Sequence, residues 1–477
     1  MKHRSVILGG LAFLTGFILM AFELVAGRVL APTIGSSTYV WTSVIGVIIA
    51  ALSIGYYAGG RLSDRRNRPV DVAWLLLATG LVVIMTTIFY PGVLDSLAQQ
   101  KMDDRLKGVL ASVILFAPAS LLLGAISPYL AKLNVDSLST SGRAIANLSA
   151  MNSLGGITGT FVTGFVLFSY VGSRNIMTAL GLSLVVISFA IAPKVCTKLR
   201  AGTAAIAALM TLFIAPAADA LHIDTPSAHY VLTDHHTDRG TIRTIATGPN
   251  GQQSGVNLDR SDELVFWYTR QIANVVENTT NKESILILGG GTYTLPKYFA
   301  NKYPDMKIDV VEIDPKLSQI AQQYFDYKNP GNISEIKEDA RTYLNKTNRQ
   351  YDIVVVDVYG DISVPFSLMT REYGDRVART VKPGGKVIVN VVAGSRGSCK
   401  ELLDTTLAPY ISHFTDASLL YKDQHDIDGN IIVVLGDELY NRDGYVEYRS
   451  DRIAYKDDFI PAESLQQACR SQELNGL

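Results

Sequence analysis

Scarcity is the first signal. The chain of 477 residues has three cysteines, Cys196, Cys399 and Cys469. They are too few for a disulfide scaffold and show no paired metal-ligand spacing. At most Cys399 and Cys469 pair, if their part of the chain meets an oxidising compartment. The seven histidines show no metal-ligand spacing either, so no metal is expected; His235 and His236 read as solvated turn residues. Net charge is −1, and the second half has no basic cluster, which argues against a nucleic-acid partner. Charge is also missing locally: before residue 221, long apolar runs are broken only by short charged loops.

A bilayer core needs roughly 20 apolar residues per helix. Seven runs meet this, near 5–27, 39–60, 71–92, 108–133, 144–170, 174–193 and 200–221. The expectation is a multi-pass α-helical membrane domain of about seven helices over 1–221, with the lipid bilayer as partner. The seventh run, "KLRAGTAAIAALMTLFIAPAADA", reads as a last transmembrane helix or as an internal signal sequence. With the N-terminus inside, the inner loops hold Lys2, Arg4, Arg61, Arg65, Arg66, Arg68, Lys132, Arg143, Lys194, Lys198 and Arg200. The outer loops hold Arg28, Lys101, Arg105, Lys107 and Arg174. This asymmetry orients the chain N-terminus in. Seven crossings of the cell membrane then put the second half outside; if one run, the seventh above all, does not span, the second half is cytosolic. The stretch "GGRLSDRRNRP" at 59–69 resembles the loop between the second and third helices of major facilitator transporters; a plain basic cytoplasmic loop accounts for it as well. Glu23 in the first run is a functional carboxylate or an interfacial one beside Arg28. Gly155 and Gly159 form a small-xxx-small pair for close helix packing. Pro118 and Pro128 predict a kink or break in the fourth run.

The second half reads as a small antiparallel β unit (222–258) followed by an α/β doubly wound domain (259–477). Asp238-Arg239-Gly240 and Pro249-Asn250-Gly251 mark turns between short strands. Ser261 is a candidate cap for the following helix. From there strands and helices alternate: "SILILGGG", "KIDVVEID", "YDIVVVDVYGD", "GGKVIVNVV" and "NIIVVLGD" are buried strands. Ligands of such sheets bind at the carboxyl ends of the strands. Gly289, Gly290 and Gly291 let the backbone approach a ligand. Glu312, 21 residues after Gly291, suits ribose hydroxyls. The glycines do not form G-x-G-x-x-G, which weakens a dinucleotide reading. Asp339 ends a third strand and could meet adenine, or is a surface acid. Asp357 ends "IVVVD" and is a general-base candidate. Asp361 either gathers a cation or caps a turn.

Taken in order, these residues resemble spermidine synthase, the polyamine aminopropyltransferase family, over about residues 225–440. The matching positions are Gly289-Gly290-Gly291, Glu312-Ile313-Asp314, Asp339-Ala340, Asp357 to Asp361 and Pro365, with Gln253 and Asp262-Glu263 upstream. A subset of that family carries a multi-pass N-terminal region, as this chain does. Thr292 stands where the family usually has Asp after the glycines. Phe266-Trp267-Tyr268 stands near its usual Tyr-His, and Tyr230 where a glutamine is expected.

The resemblance implies transfer of an aminopropyl group from decarboxylated S-adenosylmethionine to an amine such as putrescine. Asp357 would be the base, and Asp361 with Tyr268 would meet the acceptor. Glu312 would hold the ribose and Asp339 with Ala340 the adenine. Gln253, Pro365 and the three glycines would complete the nucleoside side. No tightly bound cofactor is implied, and a homo-oligomer is compatible. Two other readings stand beside this one: a methyltransferase using S-adenosylmethionine on another acceptor, and a transporter or sensor with an inactive nucleoside-binding domain.

Overall fold

The computed structural model describes every residue except 1, 36, 67, 101, 136–140, 192–201, 203–219, 249–251, 360–363, 423–428, 459 and 476–477. It divides into two compact units. One comprises Met1–Ala218 with His222–Tyr230, the other Asp219–Leu221 with Val231–Leu477.

The first unit is helical: α1 (Lys2–Ile34), α2 (Thr38–Arg65), α3 (Pro69–Ala98), α4 (Asp104–Leu115), α5 (Ala117–Asn134), α6 (Ser141–Phe161) and α7 (Ser173–Ile191). By length and composition, five helices could cross a membrane, or six if the bent pair α4–α5 is one span. These helices carry the first six of the seven expected runs; the seventh falls almost wholly outside the described residues. The pair α4–α5 is bent by 53°. Pro118 sits in the first turn of α5, where a missing N–H costs no hydrogen bond, and the break comes just ahead of it. Pro128 lies inside α5 without ending it.

Glycine sets the packing of this unit. A Cβ on Gly155 would overlap the carbonyl oxygen of Phe13, and one on Gly159 that of Phe17, so α6 lies backbone-close on α1. Gly55 and Gly59 of α2 meet the carbonyls of Leu121 and Ala125 in the same way, and Gly124 that of Leu52. Gly80 of α3 abuts Gly181 of α7.

At one end of the bundle, residues 224–228 are tied down. Arg28 of α1 donates to the carbonyls of Thr225, Pro226 and Ala228 and lies 3.8 Å from the Asp224 carboxylate. Asp224 also accepts from the Ser173 backbone N–H at 2.8 Å, at the start of α7, and pairs with His229 at 2.9 Å. Burial alone would raise the Asp224 carboxyl, but the His229 and Ser173 contacts outweigh it and hold the group below its ordinary value.

Strands β1 (Ala220–Asp224), β2 (His229–Thr237), β3 (Gly240–Ala246) and β4 (Ser254–Asn257) form a sheet in that order. The β2–β3 and β3–β4 pairs are antiparallel. Gly240 has φ +118°, which the tight β2–β3 turn requires. The Pro249-Asn250-Gly251 turn lies outside the described residues. His235 and His236 are not turn residues: they sit in β2, each within 3.2 Å of a threonine hydroxyl of β3.

In the rest of the second unit α8 (Trp267–Glu277), α9 (Thr294–Lys302), α10 (Leu317–Tyr324), α11 (Ala340–Lys346), α12 (Arg371–Arg379), α13 (Gly397–Ile411) and α14 (Ala462–Asn475) surround an eight-stranded sheet. Its strands are β5 (Ser284–Leu288), β6 (Lys307–Glu312), β7 (Ile333–Lys337), β8 (Tyr351–Val356), β9 (Val381–Ala393), β10 (Asp416–Tyr421), β11 (Gly429–Gly436) and β12 (Val446–Glu447). The order is β12-β10-β11-β9-β8-β5-β6-β7. β7-β6-β5-β8-β9 are parallel. "NIIVVLGD" (β11) instead runs antiparallel to both β9 and β10. Seven residues separate β10 from β11, too few for the crossover that a parallel pair needs.

Both faces of the sheet are covered. Alternate residues of one strand go to opposite cores: Ile285 and Ile287 to one, Leu286 and Leu288 to the other, with Ile353/Val355 and Val354/Val356 repeating the split. Ser261 does not cap α8, which begins at Trp267 after Phe266. The Ser261 hydroxyl donates to Asp326 and accepts from Lys297, so its bonding capacity is used tertiarily. A Cys399–Cys469 disulfide joins α13 to α14 across 70 residues of sequence. α14 also reaches the first turn of α13 and the segment after β8: Gln472 accepts from the Ser398 N–H, and Gln466 donates to the Val364 carbonyl.

Candidate active site

The carboxyl ends of β5, β6 and β8 meet around the glycine turn. Gly289 has φ +96°, and a Cβ there would overlap the Asp357 carbonyl oxygen. Only glycine allows β5 and β8 to end this close together. Gly291 is also left-handed, at φ +51°. The following residue but one, Tyr293, has φ +59° and is fully buried, stacked on Tyr327 with centroids 4.7 Å apart. That aromatic packing holds a backbone conformation that a tyrosine adopts only at some cost.

Glu312 closes the turn from the side of β6. Its Oε2 accepts from the Gly290 N–H at 2.8 Å and its Oε1 from the Asp314 N–H at 2.9 Å. The carboxylate is buried, and this burial raises it above its ordinary value despite both backbone donors. Ile313, the next residue, is 60% exposed, so an apolar side chain stands open beside the buried acid.

Asp357 has a different setting. Its Oδ1 accepts from the Asn390 amide at 2.8 Å. Desolvation pushes its carboxyl up to about 6, the Asn390 hydrogen bond works against that rise, and the Glu312 charge adds to it. Two carboxylates therefore share the cleft with environments that raise both. Tyr268 is buried nearby and donates to the Gln253 carbonyl at 2.9 Å; burial first, then the Asp357 charge, raises its phenol far above the usual range. Gln253 uses its own amide on Thr247 at 2.6 Å.

Asp339 caps α11, its Oδ1 accepting from the Thr342 N–H at 2.8 Å, and Ala340 behind it is buried. The capping role of Asp339 is thus real and occupies one of its oxygens. Pro365 lies exposed at the start of a short 3₁₀ turn. Asp361 lies outside the described residues. Among the described residues, no group of three or more side chains is arranged to hold a metal ion.

The sequence reading gave no contacts to Thr292, Tyr359 or Asn390. Thr292 is fully buried and shares a 2.6 Å hydrogen bond with Ser254 of β4, so it turns away from the cleft into the protein. The Tyr359 hydroxyl donates to the Asn390 carbonyl and accepts from the Val392 N–H, tying the segment after β8 to β9. Asn390 itself is 5% exposed. A signal was available for it: an amide inside the run "VIVNVV" is a buried polar group that needs partners.

Residues 265–396 match the family described as the spermine/spermidine synthase domain. A probable polyamine aminopropyl transferase of Bifidobacterium longum is 34% identical over 182 residues, 38% of this chain and 40% of that protein. The polyamine aminopropyltransferase of Vibrio vulnificus is 29% identical over 187 residues, 39% of this chain and 61% of that one. These matches therefore span about half of each relative's length. Polyamine aminopropyltransferase 1 of Streptomyces coelicolor is 24% identical over 404 residues, 78% of this chain and 72% of that protein. That alignment is longer than everything after residue 221, so the likeness reaches into the helical half. The match to the spermine/spermidine synthase domain thus falls in the α/β part of the chain, and a helical region precedes it.

Proposed function

We propose that this chain is a membrane-anchored aminopropyltransferase. It moves an aminopropyl group from decarboxylated S-adenosylmethionine to a polyamine or another amine. The observation that carries this reading is the pairing of Glu312 and Asp357 across the glycine turn, inside a region that matches spermine/spermidine synthases.

Glu312 holds the ribose hydroxyls, with Gly289, Gly290 and Gly291 giving the ligand access to the backbone. The second oxygen of Asp339 receives the adenine amino group beside Ala340. Gln253 and Pro365 serve the nucleoside, and Tyr268 and Asp361 serve the acceptor. Asp357 takes a proton from the acceptor amine. The freed lone pair attacks the aminopropyl methylene next to sulfur. The carbon–sulfur bond breaks, its electron pair neutralises the sulfonium, and methylthioadenosine leaves. A carboxyl at about 6 is ionised at neutral pH and binds a proton more tightly than an ordinary aspartate.

The test is methylthioadenosine release from the decarboxylated nucleoside with putrescine and a panel of amines, run with the full chain in detergent. Release that requires both an amine and Asp357 supports the proposal. Transfer of a methyl group from intact S-adenosylmethionine instead, or binding with no turnover, overturns it.

The second unit belongs, on this reading, on the outer face. Two observations support that placement. The ends of α1 and α7 that hold Arg28 and Ser173 are bridged by Asp224. α7, 19 residues long, ends at Ile191, about 27 Å beyond Ser173, yet the chain is back beside Ser173 at Asp224. That return is what a seventh crossing requires. The Cys399–Cys469 disulfide is of a kind that persists in oxidising compartments. Protease treatment of intact spheroplasts tests the placement: cleavage after 225 supports it, and full protection until the membrane is opened overturns it.

A further inference from the structure

The partner of Asp357 has a partner of its own. Asn390 of β9 donates its amide N–H to Asp357 at 2.8 Å, and its Oδ1 accepts from the Asn430 Nδ2 of β11 at 2.9 Å. The two asparagines are not opposite one another in the ladder: Asn390 faces Ile432, and Asn430 faces Val392. Their side chains meet on the diagonal, within reach of long polar groups.

We infer that Asn430 and Asn390 form a positioning relay that fixes the orientation and proton affinity of Asp357. The inference rests on the reading of Asp357 as the base.

The polarity of the relay follows from chemistry. An ionised carboxylate only accepts hydrogen bonds, so it calls for the NH2 end of Asn390. The carbonyl end then points away, into surroundings where Asn390 is 5% exposed, and needs a donor. Asn430 supplies that donor. Without it the buried Asn390 carbonyl is left without a donor, and the carboxylate alone holds the amide in this sense. The Asn390 backbone is held independently: its carbonyl accepts from Tyr359 at 2.8 Å. The strand, the amide and the carboxylate are thereby fixed in series. Asn390 stabilises the ionised form, so it keeps the base available to lower pH than desolvation alone would allow. A bland reading also exists, in which two asparagines only satisfy each other inside a sheet. It predicts a cost in stability and no effect on the titration of Asp357.

The experiment uses the full chain in detergent with Asn390→Leu, Asn430→Leu and Asn430→Gln, the last keeping a donor. The first readout is the pH profile of kcat/KM for methylthioadenosine release. Asn390→Leu should move the acid limb up by about one pH unit, with kcat lowered and KM nearly unchanged. Asn430→Leu should move it in the same direction by less, and Asn430→Gln should restore it. The second readout needs no turnover: the pH at which the melting temperatures of each variant with and without Asp357→Asn diverge. Its midpoint should follow the same order. Absence of all transfer with a shifted midpoint would sink the proposed activity and leave the relay standing. An unmoved midpoint and acid limb in Asn430→Leu would overturn the relay, even if Asn390→Leu fails to fold.

Discussion

Gly155 and Gly289 can be set side by side. In the helical half, Gly155 lets α6 lie on the α1 backbone at Phe13, and the same device recurs at Gly59 and Gly124 between α2 and α5. In the α/β half, Gly289 lets a strand end approach Asp357, and what gathers there is charge. The first use is repeated along helix faces and serves packing alone. The second is a single turn with a left-handed φ, and it brings Glu312 and Asp357 to one cleft. Close approach of backbones is thus structural where it recurs with helical spacing. It is chemical where it falls at a strand end beside buried acids.

The largest expected effect strikes the second use. Asp357→Asn should lower kcat by about 10²–10⁴-fold, measured as methylthioadenosine release. Wild-type turnover in this variant would remove the base from the mechanism. The same substitution should stabilise the fold. The folded carboxyl at about 6 lies above its unfolded value, so ionising it costs stability. The variant should melt like the wild type below about pH 4, gain as pH rises through 6, and level off up to about 3 kcal/mol ahead.

Cleaving the covalent link between α13 and α14 comes next. The loop of 70 residues gives an entropic loss of about 4 kcal/mol for the Cys399→Ser/Cys469→Ser pair. Melting of the second unit with and without reductant measures it, and equal melting would mean the thiols are not joined in the working protein. Gly155→Leu should then weaken the α1–α6 contact by about 1–3 kcal/mol, while Gly164→Leu, with open space around it, should be neutral; detergent melting compares them. Of similar size is the effect of Glu312→Ala, expected to weaken methylthioadenosine binding by about 1.5–3 kcal/mol on calorimetry. Unchanged affinity would move the ribose elsewhere.

The apolar helices and the strand-end acids were legible in residue order because each is a local pattern. A helix needs about 20 apolar residues in a row, and a doubly covered strand needs an uninterrupted apolar run. Periodicity could not supply direction or partnership. β11 reads like any parallel strand and is antiparallel, because the short connection from β10 decides its sense. Ser261 reads as a cap and instead meets Asp326 and Lys297, far away in sequence. Thr292 stands where the resembled family usually has Asp after the glycines, and its hydroxyl is spent on Ser254. Asn390 passed unnoticed because its partners, Asp357 and Asn430, lie 33 and 40 residues away. The sequence by itself determined which segments are apolar, where the glycines fall and which acids end strands, since these depend on neighbours along the chain. Which carboxylate is desolvated, which amide faces it and whether Cys399 meets Cys469 were decided only by tertiary structure, because these depend on neighbours in space.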